Sequence, residues 1–403
     1  MENGKKFLAS SSASLMGDIC TEIAAATLLY TLTHSSKSLI FLLVIRTAAV
    51  FCCGILVPFT TSAIANKRNF LFYIDIIRAL LLCFLFWQQS ICNIYFVIFI
   101  NSLLGGFYNP FQKSGIQNLI QSETRMKLVA SLEAMSSIIT FTIPLICGAA
   151  LSFIHPAYFF LIDGVTFLVA GNILMTIPKW GEKNLQKKDR DAFSLDNILD
   201  AYKIVLFTKK QRNLLFLRFI LLFSLSSFDV LKMTFITKMA DNIAYYQVPK
   251  FVNFGFILGL FSACGALAMF FSSLFIRKQF SLKHLNYTLK VGIAGLALGL
   301  LMWIIPLDFH FCWIFYLVGC CLLSMGLSFS KVGIHTYGYE LTDKSVFVEV
   351  VSSADALSRL WQSIVTAGCA GILIFVSPTL LVLFSSLVIP LGAIPIINRL
   401  SKL

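Results

Sequence analysis

Residues 8–33 read LASSSASLMGDICTEIAAATLLYTLT. This stretch is longer than the about 20 residues that an α-helix needs to cross a lipid bilayer. Its only charged side chains are those of Asp18 and Glu22, and both lie near its middle. The stretch therefore predicts a membrane-spanning helix that carries two carboxyl groups deep in the hydrocarbon layer.

Eleven further apolar runs follow, and they are apolar on all sides rather than along one stripe. The composition agrees, because 58% of the 403 residues are hydrophobic and only 13% are charged, about half the charged share of a soluble protein. We therefore predict an all-α membrane protein with twelve transmembrane helices embedded in a lipid bilayer. The predicted spans are 8–33, 38–65, 70–88, 92–112, 128–153, 157–177, 213–238, 251–276, 287–306, 310–334, 347–375 and 378–398.

The formal net charge of +13 is spread over short hydrophilic gaps between the runs. A nucleic-acid partner is not expected, because a nucleic-acid binder gathers its basic residues on one folded face. Nearly all Lys and Arg residues outside the spans fall on one side of the predicted membrane, and only Lys37 and Lys250 fall in the opposite loops. By the positive-inside rule, we predict that both termini lie in the cytoplasm.

The longest hydrophilic stretch divides the chain into three parts. We predict a six-helix bundle over 1–177, a cytoplasmic linker with a short amphipathic helix over 178–212, and a second six-helix bundle over 213–403. A shift of 222 residues places span 5 on span 11, so that Glu133 meets Asp355 and Cys147 meets Cys369. Two similar six-helix halves in one chain are typical of a large class of transporters.

Asp18 and Glu22 are four residues apart and therefore share one face of their helix. A charge at the bilayer centre costs at least ~2.5–3.5 kcal/mol, and two carboxylates this close should not both be ionised. One interpretation is that they exchange protons during transport. The other is that Arg46 on span 2 neutralises both in a structural ion cluster.

Spans 3, 7 and 11 each hold an acidic and a basic residue three or four positions apart, which favours local ion pairs. These pairs are Asp75 with Arg78, Asp229 with Lys232, and Asp355 with Arg359. Glu133 has no basic residue within one turn, and Asp163 lies in span 6. Arg218, by contrast, lies near a span end and is expected to reach the membrane surface.

The sequence contains no pattern typical of a bound cofactor or metal. The eleven cysteines include no Cys-x-x-Cys spacing. The histidines show no metal-ligand spacing, and no Walker A motif for ATP occurs. We therefore expect no cofactor and no metal.

Motifs in five spans resemble the major facilitator superfamily, and most closely its bacterial branch with the enterobactin exporter and macrolide efflux proteins. These motifs are Gly17-Asp18, Arg46 followed by small residues, Asp75-Ile-Ile-Arg78-Ala79, Gly106-Phe-Tyr-Asn-Pro110 and Asp163-Gly-Val-Thr-Phe167-Leu. The chain departs from the family pattern in two places. The loop over 62–69 keeps its basic residues but lacks the Asp, and the antiporter motif of span 5 is reduced to Pro144 and Gly148.

The resemblance implies a major facilitator fold and a monomeric secondary active transporter with alternating access. It implies proton-coupled efflux of an amphiphilic small molecule, such as a drug or a siderophore, across the cell inner membrane. The candidates for proton coupling are Asp18, Glu22, Arg46 and Asp163; the resemblance accounts for Asp18, whereas Glu22 is a candidate from its position in span 1, because the family pattern supplies no acid there. The family arrangement makes Glu133 and the three local pairs candidates for gating or inter-half contacts. Pro144 with Gly148 is a candidate hinge.

Two alternatives to an exporter stay open at this point. The same fold could import a siderophore or a nutrient. An intramembrane lipid-modifying enzyme would need a polar catalytic cluster beside a loop, and the sequence shows none, so we do not expect an enzyme.

Overall fold

The computed structural model describes residues 2–64, 66–119, 122–180, 202–245, 253–279, 285–304, 312–341 and 347–400. Within these ranges the chain forms twelve long α-helices and no β-strand. The first six helices are α1 (Glu2–Thr33), α2 (Ser36–Ala63), α3 (Lys67–Trp87), α4 (Ile91–Leu119), α5 (Ser122–Ala150) and α6 (Ala157–Met175). The other six are α7 (Lys209–Tyr245), α8 (Phe254–Gln279), α9 (Leu285–Leu301), α10 (Cys312–Leu341), α11 (Phe347–Phe375) and α12 (Pro378–Leu400).

The predicted fold class, an all-α membrane protein, is confirmed. Among the described residues, ten helices are long and apolar enough to cross a membrane, and Met135–Ala150 of α5 is a shorter apolar segment. Several helices run past the predicted spans; α7, for example, continues to Tyr245 rather than ending at 238. Hydropathy locates the part of a helix that lies in lipid, whereas internal backbone hydrogen bonds let the helix continue beyond it.

The chain forms two compact units. The first unit consists of Met1–Asp191 and Ile236–Ala263, and the second consists of Ala192–Phe235 and Cys264–Leu403. Most of the predicted linker, 181–201, lies outside the described residues, so the predicted domain limits at 177 and 213 stay predictions. Residues 202–207 are helical, and Val205 is buried against Leu215 and Val350.

Each unit repeats a similar pattern of helix contacts. In the first unit, α1 packs against α2, α4, α5 and α6, while α3 packs against α4 and α6. In the second unit, α9 packs against α10 and α12, as α3 does against α4 and α6. The repeat also shows in detail: the Sγ atoms of Cys20 and Cys147 are 2.9 Å apart between α1 and α5. The equivalent helices α7 and α11 meet at Ser227 and Cys369, whose Oγ and Sγ are 3.5 Å apart.

Close approach of helices depends on glycine at two contacts. A Cβ on Gly17 of α1 would overlap the side chains of Asp163 and Thr166 on α6. A Cβ on Gly295 of α9 would lie 3.1 Å from the Cα of Gly326 on α10. Small residues of this kind let transmembrane helices pack backbone to backbone, and the first of these contacts shapes the polar site described below.

Candidate functional site

Arg78 stands at the centre of a polar cluster within the first unit. It lies near the middle of α3 and only 2% of its side chain is exposed. Its guanidinium forms an ion pair with Asp18 of α1, and its Nε donates a hydrogen bond of 2.8 Å to Oδ1 of Asn101 on α4. The guanidinium carbon lies 3.8 Å from the ring centroid of Phe167 on α6. Four helices therefore meet around one arginine in the hydrocarbon layer.

Two more carboxyl groups are buried beside this arginine. Asp75 and Asp163 are both completely buried. Thr166 donates a hydrogen bond of 3.0 Å to Oδ1 of Asp163. In the described part of the chain, Oδ2 of Asp163 and both carboxyl oxygens of Asp75 have no hydrogen-bond partner. The residues Asp18, Asp75, Arg78, Asn101 and Asp163 are called the buried charge cluster below.

The predicted local ion pair between Asp75 and Arg78 is wrong. Residues three apart on a helix are near each other, but the guanidinium here is taken by Asp18 from α1 and by Asn101 from α4. Asp75 instead lies against α6, where a Cβ on Gly171 would come 3.5 Å from its Oδ2. Contacts from neighbouring helices override the local spacing.

Glu22, one turn further along α1, forms an ion pair with Arg46 of α2. The two carboxylates of α1 therefore pair with arginines from two different helices, and the interpretation that Arg46 neutralises both is wrong in this respect. About 6 Å separates Cβ atoms at this spacing, which is enough for each carboxylate to face a different neighbour. Their role in proton coupling stays a prediction.

Several of these charged groups are partly exposed although they lie far from the helix ends. The exposed fractions of the side chains are 40% for Asp18, 44% for Glu22 and 35% for Arg46. Asp18 is 16 residues from Glu2 and 15 residues from Thr33, about 22 Å or more from either end at 1.5 Å per residue. Charged groups inside a membrane face water or protein rather than lipid, and these three side chains combine an ion-pair partner with partial exposure.

The second unit contains two ion pairs among its described residues. Lys232 and Asp229 of α7 are 3.3 Å apart, so the predicted local pair is confirmed. The predicted pair of Asp355 with Arg359 is wrong, because Oδ1 of Asp355 accepts a hydrogen bond of 2.7 Å from Arg218 of α7. Arg359 instead donates to Oε1 of Gln362 at 3.4 Å.

The candidate hinge of α5 packs closely against α8. Pro144 lies inside the helix, and a Cβ on Gly259 of α8 would overlap its carbonyl oxygen. A Cβ on Gly148 would come 2.8 Å from the carbonyl oxygen of Gly255. The structure thus places both predicted residues at a helix contact, and their hinge role stays a prediction. The side chain of Glu133 lies outside the described residues.

Sequence reasoning missed three participants. Asn101, Phe167 and Arg218 contact charged groups in the structure, and the sequence patterns predicted none of these contacts. The sequence could have indicated Asn101, because a side-chain amide in the middle of an apolar run needs a hydrogen-bond partner, just as a charged group there needs a partner. No group of His, Cys, Asp and Glu that could hold a metal ion occurs in the described ranges.

Comparison with known proteins identifies the family of this chain. The sequence model of the Major Facilitator Superfamily matches residues 7–366. No curated protein sequence matches the chain. The fold is similar to that of a POT family transporter in complex with 5-aminolevulinic acid, with a TM-score of 0.76, 10% identity and coverage of 99% of this chain and 96% of that one.

Two other solved structures share the fold. The nucleoside transporter NupG has a TM-score of 0.68 with 14% identity, and 100% of each chain is covered. A bacterial homologue of the iron transporter ferroportin in the inward-facing state has a TM-score of 0.67 with 14% identity, covering 100% of this chain and 99% of that one. The family model spans most of the chain, and the chain therefore belongs to the Major Facilitator Superfamily.

Proposed function

We propose that this protein is a secondary active transporter that couples efflux of an amphiphilic small molecule to proton movement through the buried charge cluster. One observation carries the proposal. Two completely buried carboxyl groups, Asp75 and Asp163, lie beside an arginine that is already paired with a third carboxylate, Asp18.

Charge balance explains why this arrangement suits proton coupling. The cluster holds three carboxyl groups and one guanidinium, and the guanidinium compensates Asp18. Ionising Asp75 and Asp163 as well would leave two uncompensated negative charges in a medium of low dielectric constant, at a cost of several kcal/mol each. Both carboxyl groups therefore hold a proton while Asp18 is paired with Arg78.

The cluster can pass a proton between its exposed and buried members. Asp18 is partly exposed, whereas Asp163 is buried. When Asp18 takes up a proton, its ion pair with Arg78 is lost, and the guanidinium favours ionisation of Asp163 instead. Asp163 then releases its proton, so that one proton enters the cluster and one leaves it.

Glu22 extends this pathway along α1. Its pair with Arg46 is more exposed than the pair of Asp18 with Arg78, and in the proposed mechanism it therefore meets incoming protons or substrate before the buried cluster does. In the export cycle, Glu22 or Asp18 loses a proton to the cytoplasm as substrate loads. Protonation from the outer side then resets the carrier, so substrate and proton move in opposite directions.

Export, rather than import, follows from the resemblance to the enterobactin and macrolide efflux branch. An importer of a siderophore or nutrient is the alternative within the same fold. The lipid-modifying enzyme is less favoured, because the polar cluster of the described residues lies in the middle of α1, α3, α4 and α6 rather than beside a loop.

Inverted membrane vesicles test this proposal. Uptake of a panel of amphiphilic dyes, macrolides and siderophores is measured with and without an imposed gradient that makes the vesicle interior acidic. We expect gradient-driven uptake of at least one compound by the wild type and its loss in Asp163→Asn. Asp191→Asn, in the hydrophilic stretch, is the control. Uptake rates that are the same with and without the pH gradient would overturn the proposal.

A further inference from the structure

Two cysteine side chains meet between α1 and α5 in the first unit. Cys20 and Cys147 are both buried, and both are free thiols in the structure. Their Sγ atoms are 2.9 Å apart, and a bond between two sulfur atoms is about 2.05 Å long. A side-chain movement of less than about 1 Å would therefore bring the two sulfurs to bonding distance.

Cys20 lies on the side of α1 opposite the carboxylates. It is two residues from Asp18 and two residues from Glu22, and two residues turn an α-helix by about 200°. The carboxylates pair with Arg78 of α3 and Arg46 of α2, whereas Cys20 faces α5. The thiol contact therefore lies outside the ion pairs of α1.

The second unit has the equivalent helix contact with only one thiol. The shift of 222 residues places Cys147 on Cys369, and the Sγ of Cys369 is 3.5 Å from the Oγ of Ser227 on α7. A hydroxyl and a thiol cannot form a disulfide. Because the same contact is made there by a serine and a cysteine, packing does not require the second thiol of the first unit.

The thiol pair lies near one end of α5. Cys147 is three residues before Ala150, the last residue of the helix, and the last turn of a helix opens more readily than its middle. Phe153, in the segment that follows, is exposed. In the predicted orientation this end of α5 faces away from the cytoplasm, and compartments outside the cytoplasm favour disulfides. A small uncharged oxidant therefore has a short route to the pair.

We infer that Cys20 and Cys147 form a redox modification site, at which a hydroperoxide converts the two thiols into a disulfide that links α1 to α5. In the first step one sulfur attacks the peroxide, the O–O bond breaks, and a sulfenic acid and water form. In the second step the other sulfur displaces the hydroxyl of the sulfenic acid as water, and the S–S bond forms. The two thiols thus lose two electrons and two hydrogen atoms, and hydrogen peroxide becomes two water molecules.

The disulfide would join two residues that are 127 positions apart in the sequence. It would tie α1 to the turn of α5 that contains Pro144 and Gly148, the candidate hinge. A cross-link that closes so long a loop strongly restricts the unfolded chain. Oxidation is therefore expected to limit movement between α1 and α5 and to raise the unfolding temperature.

Peroxide treatment of the purified full chain in phosphatidylcholine nanodiscs tests this inference. The protein is reduced, freed of reductant, exposed to hydrogen peroxide, denatured and alkylated with iodoacetamide, and its peptides are analysed by mass spectrometry. We expect a linked pair of peptides that contains Cys20 and Cys147, has lost two hydrogen atoms, and separates after dithiothreitol. The midpoint of thermal unfolding should rise by about 5 °C or more on oxidation.

Two variants separate this disulfide from general oxidation. Cys20→Ser copies the serine of the second unit and should show neither the linked peptides nor the higher midpoint. Cys369→Ser is the matched control, because it removes a buried thiol from the equivalent contact, and it should show both.

Two results would overturn the inference: Cys20 and Cys147 are not linked to each other after peroxide treatment, or the midpoint rises equally in Cys20→Ser. Both readouts are independent of the proposed function. Failure of the proposed function appears instead in the vesicle experiment, as uptake that is the same with and without the pH gradient.

Discussion

Arg78 of α3 is paired with Asp18 of α1, 60 residues away in sequence, and not with Asp75, which lies one turn before it on the same helix. This relationship links the partly exposed face of α1 to the buried interior of the first unit. Among the described residues it leaves both carboxyl oxygens of Asp75 and Oδ2 of Asp163 without a hydrogen-bond partner, and in the proposed mechanism the carboxyl groups compete for this arginine.

Removing the side chain of Arg78 should therefore lower the stability of the protein. Arg78→Met takes away the ion pair with Asp18, the hydrogen bond to Asn101 and the contact with Phe167, and we expect a loss of about 3–5 kcal/mol of stability, as for other buried pairs. Arg46→Met is the matched control, because its pair with Glu22 is more exposed, and it should cost about 1 kcal/mol or less. Unfolding of both variants in detergent solution gives the comparison. Equal losses would show that Arg78 does not hold the helices together.

The close contact between α1 and α6 predicts that two Gly→Ala substitutions have different effects on stability. Gly17→Ala places a methyl group where Asp163 and Thr166 lie, and overpacking of this kind costs about 1–3 kcal/mol. Gly368→Ala is the control, since nothing lies within 4 Å of a Cβ there, and alanine is the better helix former. Thermal unfolding should show a lower midpoint for Gly17→Ala and an unchanged or higher midpoint for Gly368→Ala. The reverse order would contradict the packing of α1 on α6.

The partner of Asp355 can be identified by double-mutant cycles. The cycle of Arg218→Gln with Asp355→Asn should give a coupling energy of about 0.5–1 kcal/mol, typical of a partly exposed ion pair. The cycle of Arg359→Gln with Asp355→Asn should give a value near zero. A larger coupling for Arg359 would restore the local pair that the spacing predicts.

Tyr30 of α1 offers a fourth test within the first unit. Its hydroxyl donates a hydrogen bond of 2.5 Å to Oδ1 of Asp241 on α7, and its ring stacks on Phe254 with centroids 4.5 Å apart. Tyr30→Phe removes the hydrogen bond but keeps the stacking, so we expect a loss of about 1–2 kcal/mol. Asp241→Asn keeps an acceptor and should lose less. The free energy of unfolding is measured for both variants. A larger loss in Asp241→Asn than in Tyr30→Phe would contradict this geometry.

Hydropathy alone was sufficient to predict the fold class. Twelve apolar runs correspond to twelve helices, because lipid requires every backbone group of a spanning segment to be hydrogen-bonded internally. The ends were not predictable in the same way. Polar turns such as the last residues of α7, up to Tyr245, remain helical outside the apolar run.

The members of the buried charge cluster were conspicuous in sequence, whereas their partners were not. A charge in an apolar run stands out, and Asp18, Asp75, Arg78 and Asp163 were identified in this way. Spacing along one helix says nothing about neighbouring helices, so the local pairs expected for Arg78 and Arg359 were wrong. The position of Arg218 near a span end predicts that its side chain reaches the membrane surface, whereas tertiary packing brings it to Asp355.

In the proposed mechanism, buried carboxyl groups carry the protons that drive transport. The most direct test is the proton flux that accompanies substrate movement in proteoliposomes, followed with a pH-sensitive dye in the lumen, for a compound that the vesicle assay identifies. The wild type should move protons opposite to the substrate. Asp163→Asn should still exchange substrate across the membrane but should move no protons. Proton movement at the wild-type rate in both Asp163→Asn and Glu22→Gln would contradict the proposed mechanism.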